Sequence, residues 1–162
     1  MAADWNSIFS LSEQLGEKLL SDHKRLTTAE SCTGGGIGYA ITQIPGSSQW
    51  YQGGTVAYSN SAKTEQLGVD SQLIDTFGAV SEEVVEAMAV GAASRFHSEI
   101  ALSTSGVAGP EGGTAEKPVG MVCFGWFVDG DVHSETVNYS GGRKSVRLQS
   151  VEHALRGLLK LL

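Results

Sequence analysis

The sequence predicts an α/β fold: a single three-layer α/β/α domain over residues 1–162, with a mixed, largely parallel sheet and an antiparallel C-terminal hairpin. Short β-prone runs alternate with amphipathic helical runs, which is typical of parallel strands joined by crossover helices. Two β-prone runs near the C-terminus flank Asp129-Gly130, a dipeptide that favours a tight hairpin turn. No linker or internal repeat divides the chain, so these elements are expected to share one core.

The N-terminal region predicts two helices with a strand between them. Residues 5 to 20 place apolar side chains on one helical face, and "RLTTAE" then predicts a short buried strand. A second helix is predicted to begin near Thr33 and to stop before Pro45. Its apolar residues recur at helical spacing: Ile37, Ala40, Ile41 and Ile44.

The remaining elements follow from capping and alternation signals. "GGTVAYSN" is strand-like, and Asn60 or Ser61 is the predicted cap of a short helix in "AKTEQLG". "SEEVVEAMAVGAASRF" combines a Ser cap with two early glutamates, which suit the positive end of a helix dipole. "EIALSTSGVAGPEGG" predicts a strand that runs into a glycine-rich loop. The final helix carries one apolar face: Val151, Leu155, Leu158 and Leu162.

Composition indicates a globular protein. The chain has 162 residues, of which 41% are hydrophobic and 18% charged, and a chain of this size buries roughly 70% of its unfolded surface. The first twenty residues contain three acidic side chains and lack the pattern of a signal peptide. No apolar run approaches the ~20 residues of a membrane span. We therefore expect a cytoplasmic protein without a membrane partner, with Cys32 and Cys123 reduced.

The charge balance disfavours a nucleic-acid partner. Net charge is -7, whereas nucleic-acid affinity comes largely from Lys and Arg that neutralise phosphates. One local exception is "GGRKSVR", where Arg143, Lys144 and Arg147 follow two glycines. This small basic patch suits a single phosphate, so a small-molecule partner is expected.

The motif "TTAESCTGGGIGYAITQI" places hydroxyls, a carboxylate, a thiol and three consecutive glycines between a predicted strand and a predicted helix. A dinucleotide fingerprint fails because Tyr39 or Ile41 occupies the third glycine position, and "SGGRKS" does not match a phosphate-binding P-loop. The motif then predicts a turn with Ser31 at its tip and with backbone N–H groups of residues 32–35 available to an oxyanion. The alternative is that Ser31 is simply a helix N-cap.

A nucleophilic Ser31 requires a base, and the four histidines lack the neighbours of a Ser-His-Asp set. Lys63 of "AYSNSAK" lies just past a predicted strand that ends in Tyr58, at the same predicted edge of the sheet as Ser31. Lysine acts as a base only if burial or a nearby cation keeps it neutral, and Tyr58 could relay or orient the proton. The alternative is a solvated helix lysine. Cys32 is interpreted as a packing thiol rather than as the nucleophile.

Neither metal nor cofactor is expected. Cys32 and Cys123 are far apart in sequence, and no His or Cys pair has the spacing of metal ligands.

Six ordered motifs resemble the C-terminal domain family of the competence/damage-inducible protein CinA: "TTAESCTGG", "YSNSAK", "GAVSEEVVEAMAVGA", "STSGVAGPEGG", "EKPVG" and a final "GGR". The resemblance covers roughly residues 10 to 160. It implies a small, cytoplasmic, metal-free amidohydrolase that converts nicotinamide mononucleotide into nicotinic acid mononucleotide and ammonia. Because members without established deamidase activity share the fold, the alternative is a catalytically silent nucleotide-binding or partner-binding module.

The same resemblance implies roles for individual residues. Ser31 would be the nucleophile that forms a covalent ester, with Tyr58 and Lys63 as the proton-handling pair. A homodimer is expected only from the general tendency of glycine-rich motifs to lie near subunit contacts. The residues expected to bind substrate are Thr33, Gly34, Gly35, Thr104, Ser105, Gly109, Gly112, Gly113 and Arg143.

Overall fold

The computed structural model describes residues 2–162, which form one five-stranded sheet flanked by helices. In chain order the elements are α1 Trp5–Ser21, β1 Leu26–Glu30, α2 Gly36–Thr42, a 3₁₀ turn Ser47–Gln49, β2 Tyr51–Val56, α3 Asn60–Leu67, α4 Ser71–Phe77, α5 Glu82–Phe96, β3 Ile100–Gly106, β4 Met121–Val128, β5 Asp131–Asn138 and α6 Arg143–Leu161.

The sheet has the strand order β2-β1-β3-β4-β5. β1 pairs in parallel with both β2 and β3, whereas β3–β4 and β4–β5 are antiparallel. The β4–β5 hairpin turns at Asp129 and Gly130, whose φ angles of 51° and 98° suit a turn with two left-handed residues. The predicted mixed sheet, with a parallel core and an antiparallel C-terminal hairpin, is confirmed.

Two apolar clusters cover the two faces of the sheet and create three layers. Alternate side chains of β3 divide between them, because Ile100 and Leu102 join one cluster and Ala101 joins the other. The first cluster packs α1, α2 and α6 on one face, and the second packs α3, α4 and α5 on the opposite face. β1 is buried along its whole length, as expected for a central parallel strand covered on both sides.

The structure corrects three details of the helix predictions. α2 begins at Gly36 rather than near Thr33, because residues 33–35 form a turn. The cap of α3 is Ser59, whose hydroxyl accepts from the Ala62 amide, rather than Asn60 or Ser61. α4 is an additional short helix that the sequence signals do not indicate. The predicted Ser81 cap of α5 is confirmed.

The parallel strands end at one edge of the sheet. The register pairs Glu30 of β1 with Val56 of β2 and with Thr104 of β3. The residues that follow these positions are therefore brought together, and such an edge is where open α/β sheets bind ligands. Within residues 2–162, no helix is both long and apolar enough to cross a membrane.

Candidate active site

A cavity of about 300 Å³ opens at the carboxyl ends of β1, β2 and β3. Its volume is at the lower end of the range for small-molecule sites. Polar and backbone groups from several loops converge on it, as expected for a site that orients a ligand. The residues on its wall are Ser31, Cys32, Tyr58, Asn60, Lys63, Ala79, Val80, Ser105, Gly106, Val107, Ala108, Gly109, Glu111, Gly112 and Arg143.

Ser31 and Lys63 meet at the buried end of this cavity. Ser31 follows β1 directly, and Lys63 lies in the first turn of α3. The Lys63 Nζ lies 3.1 Å from the Ser31 Oγ, within hydrogen-bond distance. Lys63 is only 2% exposed and Ser31 only 7% exposed. The alternative of a solvated helix lysine is therefore wrong.

Burial lowers the pKa of Lys63 below its ordinary value. The ammonium form loses its hydration in this position, and no carboxylate in the described part of the chain forms a salt bridge with it. The positive end of the α3 dipole also disfavours a cation in the first turn. A neutral amine beside a serine hydroxyl is able to accept the hydroxyl proton.

Glu30 organises the turn that follows Ser31. Its buried carboxylate accepts hydrogen bonds from the amides of Gly35, Ile37 and Gly38 at 2.8 to 3.1 Å. These amides belong to the first turn of α2, whose N-cap is Gly35. Ser31 therefore does not cap this helix, and its hydroxyl is available for other chemistry.

The amides of residues 32–35 are not all available to a ligand. Gly34 donates to the Ser31 carbonyl at 3.0 Å, and the next amide donates to the carboxylate described above. Within residues 2–162, the amides of Cys32 and Thr33 donate no hydrogen bond. The set of candidate oxyanion donors is therefore reduced from four amides to these two.

Arg147 of α6 stabilises the same turn from the opposite side. Its Nε donates to the Cys32 carbonyl and its Nη2 to the Thr33 carbonyl, both at 3.1 Å. A peptide unit is planar, so fixing the Cys32 oxygen also fixes the direction of the Thr33 N–H. Part of the predicted basic patch thus supports the backbone.

Cys32 lies next to Ser31 but has a different environment. Its side chain is 5% exposed, and burial raises the pKa of the thiol to about 12. The thiolate is the reactive form of cysteine, and almost none is present near neutral pH. This agrees with the interpretation of Cys32 as a packing thiol.

Arg143 and Tyr58 form the exposed end of the cavity. Arg143 is the first residue of α6, and its Nη1 donates to the Gly109 carbonyl at 2.9 Å. Its Nη2 donates to the Tyr58 hydroxyl, also at 2.9 Å. Tyr58 and Lys63 are the predicted proton-handling pair, but within residues 2–162 no hydrogen bond joins them.

Comparison with known proteins decides the family. The family model of the CinA C-terminal domain matches residues 8–162. This chain belongs to the CinA C-terminal domain family.

Curated relatives in this family match almost end to end. A protein of Pseudomonas putida named nicotinamide-nucleotide amidohydrolase PncC is 51% identical over 154 residues, which cover 95% of this chain and 96% of the relative. A protein of the same name from Escherichia coli strain K12 is 44% identical over 157 residues, which cover 94% and 93% of the two chains.

A solved structure shares the architecture. The crystal structure of a CinA superfamily protein from Escherichia coli superimposes with a TM-score of 0.95 at 36% identity, covering 100% of this chain and 94% of the other. The fold described above is therefore shared with this CinA superfamily protein.

Most of the catalytic and substrate-binding residues that the resemblance to CinA implies lie on the cavity wall, but five do not. Ser105, Gly109 and Gly112 line the cavity together with the residues described above. Thr33 and Thr104 are buried, and their hydroxyls bond each other at 2.8 Å. The residues away from the wall are Thr33, Gly34, Gly35, Thr104 and Gly113.

Sequence reasoning missed several polar residues around the cavity. Glu30 lies within "TTAESCTGG", but glutamate is not among the usual N-cap residues, and the amides that it binds belong to residues 35, 37 and 38 further along the chain. Asn60 and Glu111 line the cavity, but each lies in a polar segment with no distinguishing pattern. Among residues 2–162, no group of three or more His, Cys, Asp and Glu side chains is arranged to hold a metal ion.

Proposed function

We propose that this chain hydrolyses the carboxamide of nicotinamide mononucleotide to give nicotinic acid mononucleotide and ammonia. The observation that carries the proposal is the contact of 3.1 Å between the Lys63 amine and the Ser31 hydroxyl inside a ligand-sized cavity. Relatives covered almost completely by this chain are named nicotinamide-nucleotide amidohydrolase. The chain is thus an amidohydrolase, and a Ser–Lys pair supplies its chemistry.

The first step is acyl transfer to Ser31. Neutral Lys63 accepts the hydroxyl proton while the Ser31 Oγ attacks the carboxamide carbon, and a tetrahedral oxyanion forms. The unbonded N–H of Cys32, a residue on the cavity wall, is the first candidate to stabilise this oxyanion, and Thr33 carries the second free amide. We assign these two amides to the oxyanion because Cys32 and Thr33 follow the Ser31 nucleophile directly in the chain.

The second step releases ammonia and restores the enzyme. Protonated Lys63 returns its proton to the leaving nitrogen as the carbon–nitrogen bond breaks, so a nicotinoyl ester of Ser31 remains. Water then attacks the ester carbonyl and gives a proton to Lys63, and Lys63 passes this proton to the Ser31 Oγ as the carbon–oxygen bond breaks. The new carboxylic acid releases its remaining proton to solvent. The products are the carboxylate and a free Ser31 hydroxyl.

The exposed end of the cavity is the place for the substrate's 5′-phosphate. Arg143 supplies a guanidinium at the N-terminus of α6, where helix amides and the helix dipole also favour an anion. The carboxamide and the phosphate are then held at opposite ends of one cavity. The residues proposed to bind substrate along it are Ser105, Gly109, Gly112 and Arg143.

The deciding experiment is product analysis with purified protein and nicotinamide mononucleotide in the presence of a chelator. We expect ammonia and nicotinic acid mononucleotide in equal amounts. If the nucleotide binds but releases no ammonia, the silent nucleotide-binding module is the correct function. The cytoplasmic setting, the role in pyridine-nucleotide recycling and the homodimer remain predictions from sequence.

A further inference from the structure

We propose that Tyr58 is a positioning residue for Arg143 and acts in phosphate recognition rather than in proton transfer with Lys63. This inference rests on the proposed function, because it assigns a task within the same cavity. It concerns substrate specificity, namely the distinction between a nucleotide and the nucleoside that lacks the phosphate.

The hydrogen bonds of Arg143 define a clamp formed by Arg143, Tyr58 and Gly109. The Gly109 carbonyl accepts from one terminal nitrogen of the guanidinium and the Tyr58 hydroxyl accepts from the other, each at 2.9 Å. Two acceptors on separate segments fix both the position and the plane of the group. A free arginine side chain samples many rotamers, so this clamp reduces the entropy that the side chain loses when it binds an anion.

The clamp leaves donors free for a ligand. A guanidinium has five N–H donors, and Arg143 uses two of its nitrogens in the clamp. Because the Tyr58 oxygen accepts from Arg143, its own O–H remains available as a donor. A phosphate has several acceptor oxygens and suits such a cluster of donors.

The location of Tyr58 argues against a role in proton transfer. Its side chain is 59% exposed, whereas Lys63 is 2% exposed at the other end of the cavity. Lys63 contacts the Ser31 hydroxyl directly, so the proton needs no relay between them. The amine and the hydroxyl that exchange the proton are therefore already adjacent, and Tyr58 is not needed between them.

The test compares nicotinamide mononucleotide with nicotinamide riboside, which lacks the phosphate. For Tyr58→Phe we expect KM for the mononucleotide to rise about 10-fold, the magnitude of one hydrogen bond to a charged group, with kcat changed less than about 3-fold. kcat/KM for the riboside and the pH dependence of kcat should not change. Tyr39→Phe is the matched control, because Tyr39 is 52% exposed and lies outside the cavity wall.

A double variant tests whether Tyr58 acts through Arg143. If it does, Tyr58→Phe combined with Arg143→Ala should be no worse on the mononucleotide than Arg143→Ala alone. Additive losses, equal losses of kcat on both substrates, or a displaced acidic limb of the pH profile would each overturn the proposal.

A binding measurement separates this inference from the proposed function. If wild-type protein released no ammonia, the proposed function would fail. Calorimetric Kd values for nicotinamide mononucleotide and riboside would still report on the clamp. An approximately 10-fold weaker Kd for the mononucleotide alone in Tyr58→Phe supports the clamp, and an unchanged Kd contradicts it.

Discussion

The two ends of the cavity differ in how far their ionisable side chains are removed from water. At the buried end, Ser31 and Lys63 are almost fully removed from water, and burial lowers the pKa of the lysine. At the exposed end, Arg143 and Tyr58 remain in contact with solvent. Burial thus favours a neutral lysine where the proposed proton transfer takes place, and the exposed guanidinium is accessible to solvent where the proposed anion binds.

The two ends also differ in how the backbone is supported. The turn after Ser31 is held by the Glu30 carboxylate on one side and by the Arg147 guanidinium on the other. The exposed end depends on a glycine-containing loop, from which Gly109 supplies a single carbonyl to Arg143. Substitutions at the buried end should therefore affect the rate of chemistry, and substitutions at the exposed end should affect substrate choice.

Ser31→Ala is expected to have the largest effect. Loss of the hydroxyl that lies within hydrogen-bond distance of the Lys63 amine removes the proposed covalent pathway, so kcat should fall by about 10³-fold or more. The fold should persist, because Ser31 caps no helix and its backbone pairing with Thr104 does not use the side chain. Ammonia release and thermal unfolding would measure the two effects. An active Ser31→Ala protein would exclude the serine mechanism.

Lys63→Met is expected to lower activity and raise stability. Removing the base should reduce kcat by about 10²- to 10⁴-fold. The apolar methionine also replaces a desolvated amine, so the free energy of unfolding should increase by about 0.5–2 kcal/mol near neutral pH. Activity assays and denaturant titration would test both. A strongly destabilised Lys63→Met protein would contradict the account of Lys63 as an energetically costly buried amine.

The pH dependence should follow the protonation of Lys63. Its pKa in the folded protein is below the ordinary 10.5, so kcat/KM should rise with pH and level off before that value. The unfolded chain binds more protons between the folded and unfolded pKa values, so wild-type stability should increase with pH in this window. The gain in the free energy of unfolding expected for Lys63→Met over wild type should therefore decrease with pH between the two pKa values. Activity that still rises tenfold per unit at pH ~10 would argue against Lys63 as base.

Arg143→Ala should affect substrate choice more than chemistry. Loss of the guanidinium that is proposed to bind phosphate should reduce kcat/KM for nicotinamide mononucleotide by about 10- to 10²-fold. The riboside should be hydrolysed as by the wild-type protein, since it has no phosphate. Parallel kinetics on both substrates provide the measurement, and an equal loss on both would place Arg143 outside phosphate recognition.

The accuracy of sequence-based prediction differs between the two ends for physical reasons. Ser31 and Lys63 each follow a predicted parallel strand, and the carboxyl ends of parallel strands lie at one edge of a sheet. The predicted topology was therefore sufficient to expect both residues at that edge. The bond between Tyr58 and Arg143 joins residues 85 positions apart and depends on the loop conformation, which no local pattern encodes. α4 escaped prediction because its seven residues bury only Ile74. The role of Glu30 depends on where the glycine-rich turn ends and α2 begins, which local sequence does not define.

Cys32→Ala should have the smallest effect, although this residue is adjacent to Ser31. Burial raises the pKa of the thiol to about 12, so the thiolate required of a cysteine nucleophile is almost absent at neutral pH. The backbone amide, which is the part of Cys32 proposed to stabilise the oxyanion, is retained in alanine. We therefore expect kcat/KM within about 3-fold of wild type and a loss of roughly 1 kcal/mol in stability from the vacated volume. Iodoacetamide should leave the wild-type activity intact. If Cys32→Ala were more damaging to kcat than Ser31→Ala, the thiol would replace the hydroxyl as nucleophile, and the buried end of the cavity would require a different mechanism.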